Sequence, residues 1–283
     1  MEAVDEVVDV GRVLLPVQLL AGVQPYPAVT ASRLASYWNL VVPYALASGF
    51  FQPHGREAIG VLRYMLTHGS RLLGLVRAGA YALYGDPVYP TSGTDEVYGV
   101  NVSRFLADND QADQLVLSLY GELAAAMTPG TFVSGEGATV APLPGHAARA
   151  MYLPPNSASN AAYLETLRLT LVHETPHGLE LAYATPRAWL SPGRRIAVSG
   201  VPTSFGSVSF SIESQQGSIA VSLVVPSRVP PRSLRLRLRL PRPTRIERVL
   251  VGGRPFPRFD AAIGTIDLSG LTGTVDLTVL TGA

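Results

Sequence analysis

The sequence predicts an α+β chain of two parts: a helical first part, read as a partial α/α toroid, and an antiparallel β-sandwich. Three observations carry that expectation. Apolar residues recur at helical spacing over much of residues 1–178, whereas short runs alternating at period two fill residues 179–283. Gly and Pro punctuate the second part every eight to twelve residues or so. The charge also divides: the first part holds 9 Arg against 15 acids and the second 13 Arg against 6 acids.

At 283 residues the chain suits one large domain or two ordinary ones. With 15% charged residues and a net charge of +1, no global field points to nucleic acid or a membrane surface. Cysteine is absent, which excludes disulfides, thiolate nucleophiles and Cys-ligated metal. The start, MEAVDEVVDV, is acidic where a signal peptide needs a basic segment. The run Val13 to Val23 is too short to span a bilayer and contains Pro16. The compartment stays open.

In chain order, Tyr37 to Phe51 and Glu57 to Leu75 have helical spacing, with His54-Gly55-Arg56 as the turn between them. Tyr98 to Asp113 and Leu115 to Met127 form the next pair, with Asp108, Asn109 and Asp110 read as a turn. Ser157 to His173 is the best helix, with Ser157 or Ser159 as its cap and Leu164, Leu167 and Leu171 as its buried face. Repeated hairpins of this kind predict a toroid or solenoid segment. The predicted strands are Val208 to Glu213, Ser218 to Val225, Ser233 to Leu240, Ile246 to Val251 and Thr274 to Leu280.

Between two of the helices lies TPGTFVSGEGATVAPLPGH, Thr128 to His146, with Glu136 flanked by Gly135 and Gly137. A lone acid on such a loop is placed to meet a ligand. Asp95 and Glu96, in TSGTDEVYGVN, sit on another glycine-containing loop before a helix. Two carboxylates held apart are what glycoside hydrolysis requires: one protonates the leaving oxygen, the other activates water or attacks. Helix capping by Asp95 or Asn101 is the plainer alternative. Among the aromatic residues, Trp38, beside Asn39, and Tyr98 are read as sugar-contacting, since sugar rings stack on aromatic faces; core packing accounts for most of the others.

Two sharper matches read as structural. His173-Glu174-Thr175-Pro176-His177 fits the zinc motif H-E-x-x-H, but Pro176 inside it and Gly178 after it end the helix near His173, so the two histidines lose a shared face. No metal or organic cofactor is expected. Arg235, Arg237 and Arg239 alternate with Leu234, Leu236, Leu238 and Leu240, as in a strand with an aliphatic core face and an arginine solvent or interdomain face. No aromatic interleaves there for base stacking, so no nucleic-acid partner is expected.

The phrases TPGTFVSGEGATV, NSASNAAYLETLRLTLVHE, ATPRAWLSPGRRIAVSGVPTSFGSVSFSIES and VLVGGRPFPRFD resemble the C-terminal portion of glycoside hydrolases built from an (α/α)6 toroid and a β-sandwich, such as the inverting α-L-rhamnosidases. The resemblance implies a carbohydrate ligand, Glu136 as general base or acid, and Asp95 or Glu96 as its partner carboxylate. A full toroid has twelve helices and this chain has material for about six. The resemblance therefore implies a part of a larger enzyme, completed by a second copy or by another chain. The alternative is a non-catalytic carbohydrate-binding or scaffold protein.

Overall fold

The computed structural model describes residues 3–10, 13–20, 43–46, 48–67, 71–78, 93–139, 142, 145, 147 and 149–282. Trp38, Asn39 and the rest of residues 37–42 and 47 of the predicted helix Tyr37 to Phe51 lie outside the described residues. The chain divides into two compact units, Met1–Leu167 and Arg168–Ala283.

The first unit mixes helix and antiparallel sheet where helical hairpins were expected. It begins with strands β1 (Ala3–Val10) and β2 (Val13–Leu20), paired antiparallel from Ala3↔Leu20 to Val10↔Val13. Five short strands then form one sheet in chain order: β3 (Arg71–Leu72), β4 (Leu75–Ala78), β5 (Gly93–Asp95), β6 (Gly137–Thr139) and β7 (Met151–Tyr152), every pairing antiparallel. Strands of two to four residues leave almost no period-two pattern to read, which is why the sheet was invisible in the sequence.

Helices α1 (Arg56–Thr67), α2 (Gly99–Asp108) and α3 (Ala112–Gly121) accompany this sheet. Ala58, Val61, Leu62 and Met65 form the apolar stripe of α1, and they share a core with Val76, Val102, Phe105 and Leu106. Asn109 closes α2, its backbone N–H reaching Phe105 O, and Asp110 turns the chain with φ 54°. The Asn109 side chain accepts a bond from the His54 N–H at 2.8 Å and so ties this turn to the entry of α1. Directly after α3 the chain widens into a π-helical turn, Glu122–Ala126. Glu122 opens it.

Helix α4 (Ser157–Leu171) differs from its expected form in two ways. Its cap is Asn156, whose side-chain oxygen accepts the Ser159 N–H at 3.1 Å, while the Ser159 hydroxyl donates to Gly135 O at 2.6 Å. Leu164, expected in the buried face, is 61% exposed, and Leu167 and Leu171 are only half-buried. The buried stripe is instead Ala162, Thr166, Leu169 and Thr170. The helix is thus rotated from the leucine spacing, and a threonine hydroxyl faces inward.

The second unit is a β-sandwich. One sheet runs β10 (Arg195–Thr203), β11 (Gly206–Gln215), β12 (Ser218–Val225), β18 (Gly273–Gly282), β14 (Arg245–Val251) and β15 (Arg254–Pro255). Its pairings are all antiparallel. The other runs β16 (Phe259–Asp260), β17 (Thr265–Asp267), β13 (Ser233–Arg237), β9 (Gly178–Leu181) and β8 (Val172–Thr175), with a single parallel pairing, β13 on β9. Alternate residues of both sheets, among them Phe210, Ile212, Val221, Leu223 and Leu277 from one and Leu179, Leu181, Leu234, Leu236 and Ile266 from the other, meet in one buried cluster.

Two motifs fall in this unit. Helix α4 stops at Leu171, and His173 to Thr175 lies in β8, which turns through Pro176 and His177 into β9. Residues on a hairpin share no helical face. His173 instead contacts Glu180 across the hairpin, Nδ1 to Oε2 at 3.1 Å, with its ring against Tyr183. The arginine strand is shorter than expected: β13 ends at Arg237, and Arg239, expected on an outer face, is buried.

Candidate active site

The sheet of the first unit brings its acids together by pairing strands far apart in sequence. In the β5–β6 register Asp95 faces Gly137 and Thr94 faces Ala138. One step beyond the ladder the Glu96 N–H donates to Glu136 O at 3.1 Å, and the Glu136 N–H donates to Tyr152 O at 2.7 Å. Residues 96 and 136 are therefore direct neighbours across two strands. The glycine before Glu136 has a packing reason. A Cβ on Gly135 would stand 2.6 Å from Tyr152 O and 2.9 Å from Gly137 O, both backbone atoms that cannot rotate away. Only glycine admits the close approach of these segments.

Asp95, the last residue of β5, and Glu96, just beyond it, have different surroundings. Asp95 is fully buried, and its Oδ1 accepts the Tyr98 N–H at 3.2 Å, fastening the turn that leads into α2. Beside it the Tyr98 and Tyr44 rings meet edge to face, centroids 5.5 Å apart. The Tyr98 hydroxyl is pushed up to about 12, chiefly by burial and then by Tyr44, Asp95 and Glu136 close by. Tyr44 is 58% exposed, and Tyr98 and Glu136 are half-buried. Asp95, Tyr98, Tyr44 and Glu136 thus make one group with an open side.

Glu96 belongs to a second, closed group that includes an acid the sequence reading passed over, Glu122. Both carboxyls are 1% exposed. Thr94 Oγ1 donates to Glu96 Oε1 at 2.7 Å, and Thr166 Oγ1 to Glu122 Oε1 at 3.1 Å; Thr166 also lies 3.1 Å from Ser103 Oγ. The second oxygen of each carboxyl, Oε2, is buried and has no hydrogen-bond partner among the described residues. Burial holds the Glu96 carboxyl well above the usual carboxylate range, with Asp95 and Glu122 adding to the rise against the Thr94 bond. Burial likewise pushes Glu122 up to about 8, the Thr166 bond acting the other way. At neutral pH Glu122 is therefore largely a carboxylic acid, and burial shifts Glu96 in the same direction.

A signal for Glu122 was present: it is the one charge in LVLSLYGELAAAM, a run otherwise of apolar, small and hydroxyl residues. Its position at the head of a π-turn adds a second, since such turns recur at functional sites. The sheet thus unites Asp95, Glu96, Glu136 and Tyr98, and adds Tyr44 and Glu122. Among the described residues no group of three or more His, Cys, Asp and Glu side chains is arranged to hold a metal ion. No helix among them is long and apolar enough to cross a membrane.

No protein-family model matches the chain, and no curated protein sequence does. Among solved structures, a GH127 β-L-arabinofuranosidase from Geobacillus stearothermophilus T6 is similar at 13% identity and a TM-score of 0.46, over 90% of this chain and 44% of that one. A second, described as a glycoside hydrolase, is similar at 15% identity and a TM-score of 0.34, over 66% of this chain and 33% of the other. The chain spans less than half the length of either. At these identities and scores neither structure assigns a role to any residue. The structural neighbours are glycoside hydrolases by description, and the chain itself is a mixed helix and antiparallel-sheet protein.

Proposed function

We propose that the chain acts on a carbohydrate through the carboxyl groups gathered at the β5–β6 edge, as part of a glycoside hydrolase. The observation that carries this reading is the backbone bond from Glu96 N–H to Glu136 O, which sets two acids 40 residues apart in sequence side by side. Their environments differ as the chemistry needs. Glu136 stands half-exposed at the open side, where a carboxyl meets water and sugar; Glu96, 1% exposed and pushed by burial toward its protonated form, is the acid held behind it. The paired Tyr44 and Tyr98 rings beside Glu136 offer a stacking edge for the sugar. Asp95, whose Oδ1 accepts the Tyr98 N–H, acts in this reading as a positioning residue for that tyrosine. An inverting, rhamnosidase-like enzyme whose helical toroid is completed by further chain or by a partner is the finer form of the same proposal.

The test is direct. Aryl glycosides and oligosaccharides of several sugars are offered to the wild-type chain, to Glu136→Gln and to Glu96→Gln, with hydrolysis followed by release of the aglycone and binding by calorimetry. Loss of either carboxyl is expected to lower kcat by about 10²- to 10⁴-fold. If Glu136→Gln changes neither hydrolysis nor binding, the reading is wrong. Sugar binding without hydrolysis in the wild type, abolished by Glu136→Gln, would instead mark a non-catalytic carbohydrate-binding chain.

A further inference from the structure

The second unit contains a cavity of about 520 Å³ whose wall is unusual in charge. Five arginines line it, Arg187, Arg237, Arg239, Arg242 and Arg245, and no acidic side chain does. They converge from separate parts of the chain: the segment before β10, the end of β13, the loop that follows it and the start of β14. Two are fixed from behind by backbone carbonyls. Arg239, only 6% exposed, donates to Thr185 O at 3.2 Å and Ala184 O at 3.4 Å, and Arg187 donates to Leu240 O at 2.8 Å. Arg237 lies over the Tyr183 ring, 5.5 Å from guanidinium carbon to centroid. The side chains of Arg242 and Arg245, at the exposed side, have no ion pair or hydrogen bond among the described residues.

The nearby acids are spent elsewhere. Asp260 is folded onto its own loop, where its Oδ1 accepts the Ala262 and Ile263 N–H groups at 2.8 and 3.3 Å. Glu180, whose charge Arg237 does feel, is also bound by His173 and Arg235 and does not line the cavity. The cavity floor is rigid: Leu238 N–H donates to Gly264 O at 2.7 Å, and a Cβ on Gly264 would stand 2.3 Å from Leu238 O. Burying one guanidinium and setting four more around it is costly, because cations repel and the inner one has lost water. An anion removes that cost.

We propose that this cavity is a binding site for an oxyanion of the phosphate or sulfate class. A tetrahedral anion accepts hydrogen bonds from several directions at once, which suits guanidinium groups arriving from four segments. A carboxylate offers one planar edge and would satisfy one fork. The volume exceeds that of a bare ion and admits a ligand of sugar size that carries the charge. No aromatic side chain lines the cavity, so a nucleic-acid base would find no stacking partner. The site lies within the second unit and is independent of the carboxyl groups at β5–β6.

Calorimetric titration of the full chain with sodium phosphate, sodium sulfate and glucose 6-phosphate tests it, against sodium chloride at equal ionic strength and against glucose. Saturable binding of an oxyanion, weakened at least about tenfold in the Arg242→Gln/Arg245→Gln double variant, is expected. Both arginines are exposed, so the variant should keep the wild-type melting temperature in chloride, which circular dichroism checks. Tighter binding of glucose 6-phosphate than of phosphate identifies an ester-borne group as the ligand, and equal binding identifies the free ion. Absence of saturable binding, an equal response to chloride, or unchanged affinity in the folded double variant would overturn the proposal.

Discussion

At the scale of single residues, the buried carboxyl pair gives the most direct prediction. Glu122 keeps its proton in the folded chain up to about pH 8, whereas the unfolded chain releases it near the ordinary value of 4.5. Its raised value means that folding is favoured at low pH, and that this contribution is fully present below about pH 4.5 and lost as pH rises through about 8. The Glu122→Gln variant keeps a neutral side chain of the same shape at every pH. Its melting temperature should match the wild type's at pH 4 and exceed it at pH 9, by a difference worth at most about 5 kcal/mol. Equal pH profiles for the two proteins would refute the buried-acid assignment. Glu136 drew notice in the sequence because a charge on a glycine loop stands out. For Glu122 the sequence carried only its singularity as a charge in an apolar run, since a helical pattern does not say that an acid can occupy the inner face when a hydroxyl on another helix receives it.

At the scale of elements, length helped without deciding: β1, β2 and β10, of eight, eight and nine residues, were not read as strands. The strands β11, β12, β14 and β18 were readable because seven to ten residues repeat their alternation several times. The three-residue strands β5 and β6, which assemble the acids, cannot display a period. What the sequence does carry is the glycine that lets β6 and β7 close on each other. Gly135→Ala is expected to destabilise the chain by roughly 1–3 kcal/mol through overpacking against fixed backbone, measured by urea unfolding. A neutral outcome would mean that the segments can part at little cost. Leu164 teaches the same lesson from the other side: the leucine spacing of α4 pointed to one face, and packing of Thr166 toward Glu122 selected another.

At the scale of the whole molecule, the two units have different surfaces as well as different folds. Of the 13 large hydrophobic side chains exposed among the described residues, only Val224, Val229 and Ile263 belong to the second unit. Phe50, Leu73, Phe132, Leu153 and Leu164 are examples from the first, each at least half exposed. If these side chains adjoin on the surface, association would cover them. Light scattering on the purified chain should therefore give a mass above the 30.0 kDa of one copy, and a clean monomer would weaken the idea of a second copy or partner. The alternating pattern of the second part and the opposite charge balance of the two parts were readable in the sequence. The sheet within the first part was not, because its pairings join residues up to about 45 positions apart and nothing local announces them.

The π-turn at Glu122–Ala126 makes the site sensitive to a kind of change that substitution does not sample. Such a turn holds one residue more than an α-helical turn spanning the same rise, and each helical residue advances the chain by about 100°. Removing Leu123 would let the segment relax into continuous α-helix. The chain beyond would then be carried round by a quarter-turn or so, taking with it the Met127–Ser134 bridge and the approach to β6. A single codon lost there would leave every acid of the site in place in the sequence and separate Glu136 from Glu96 in space.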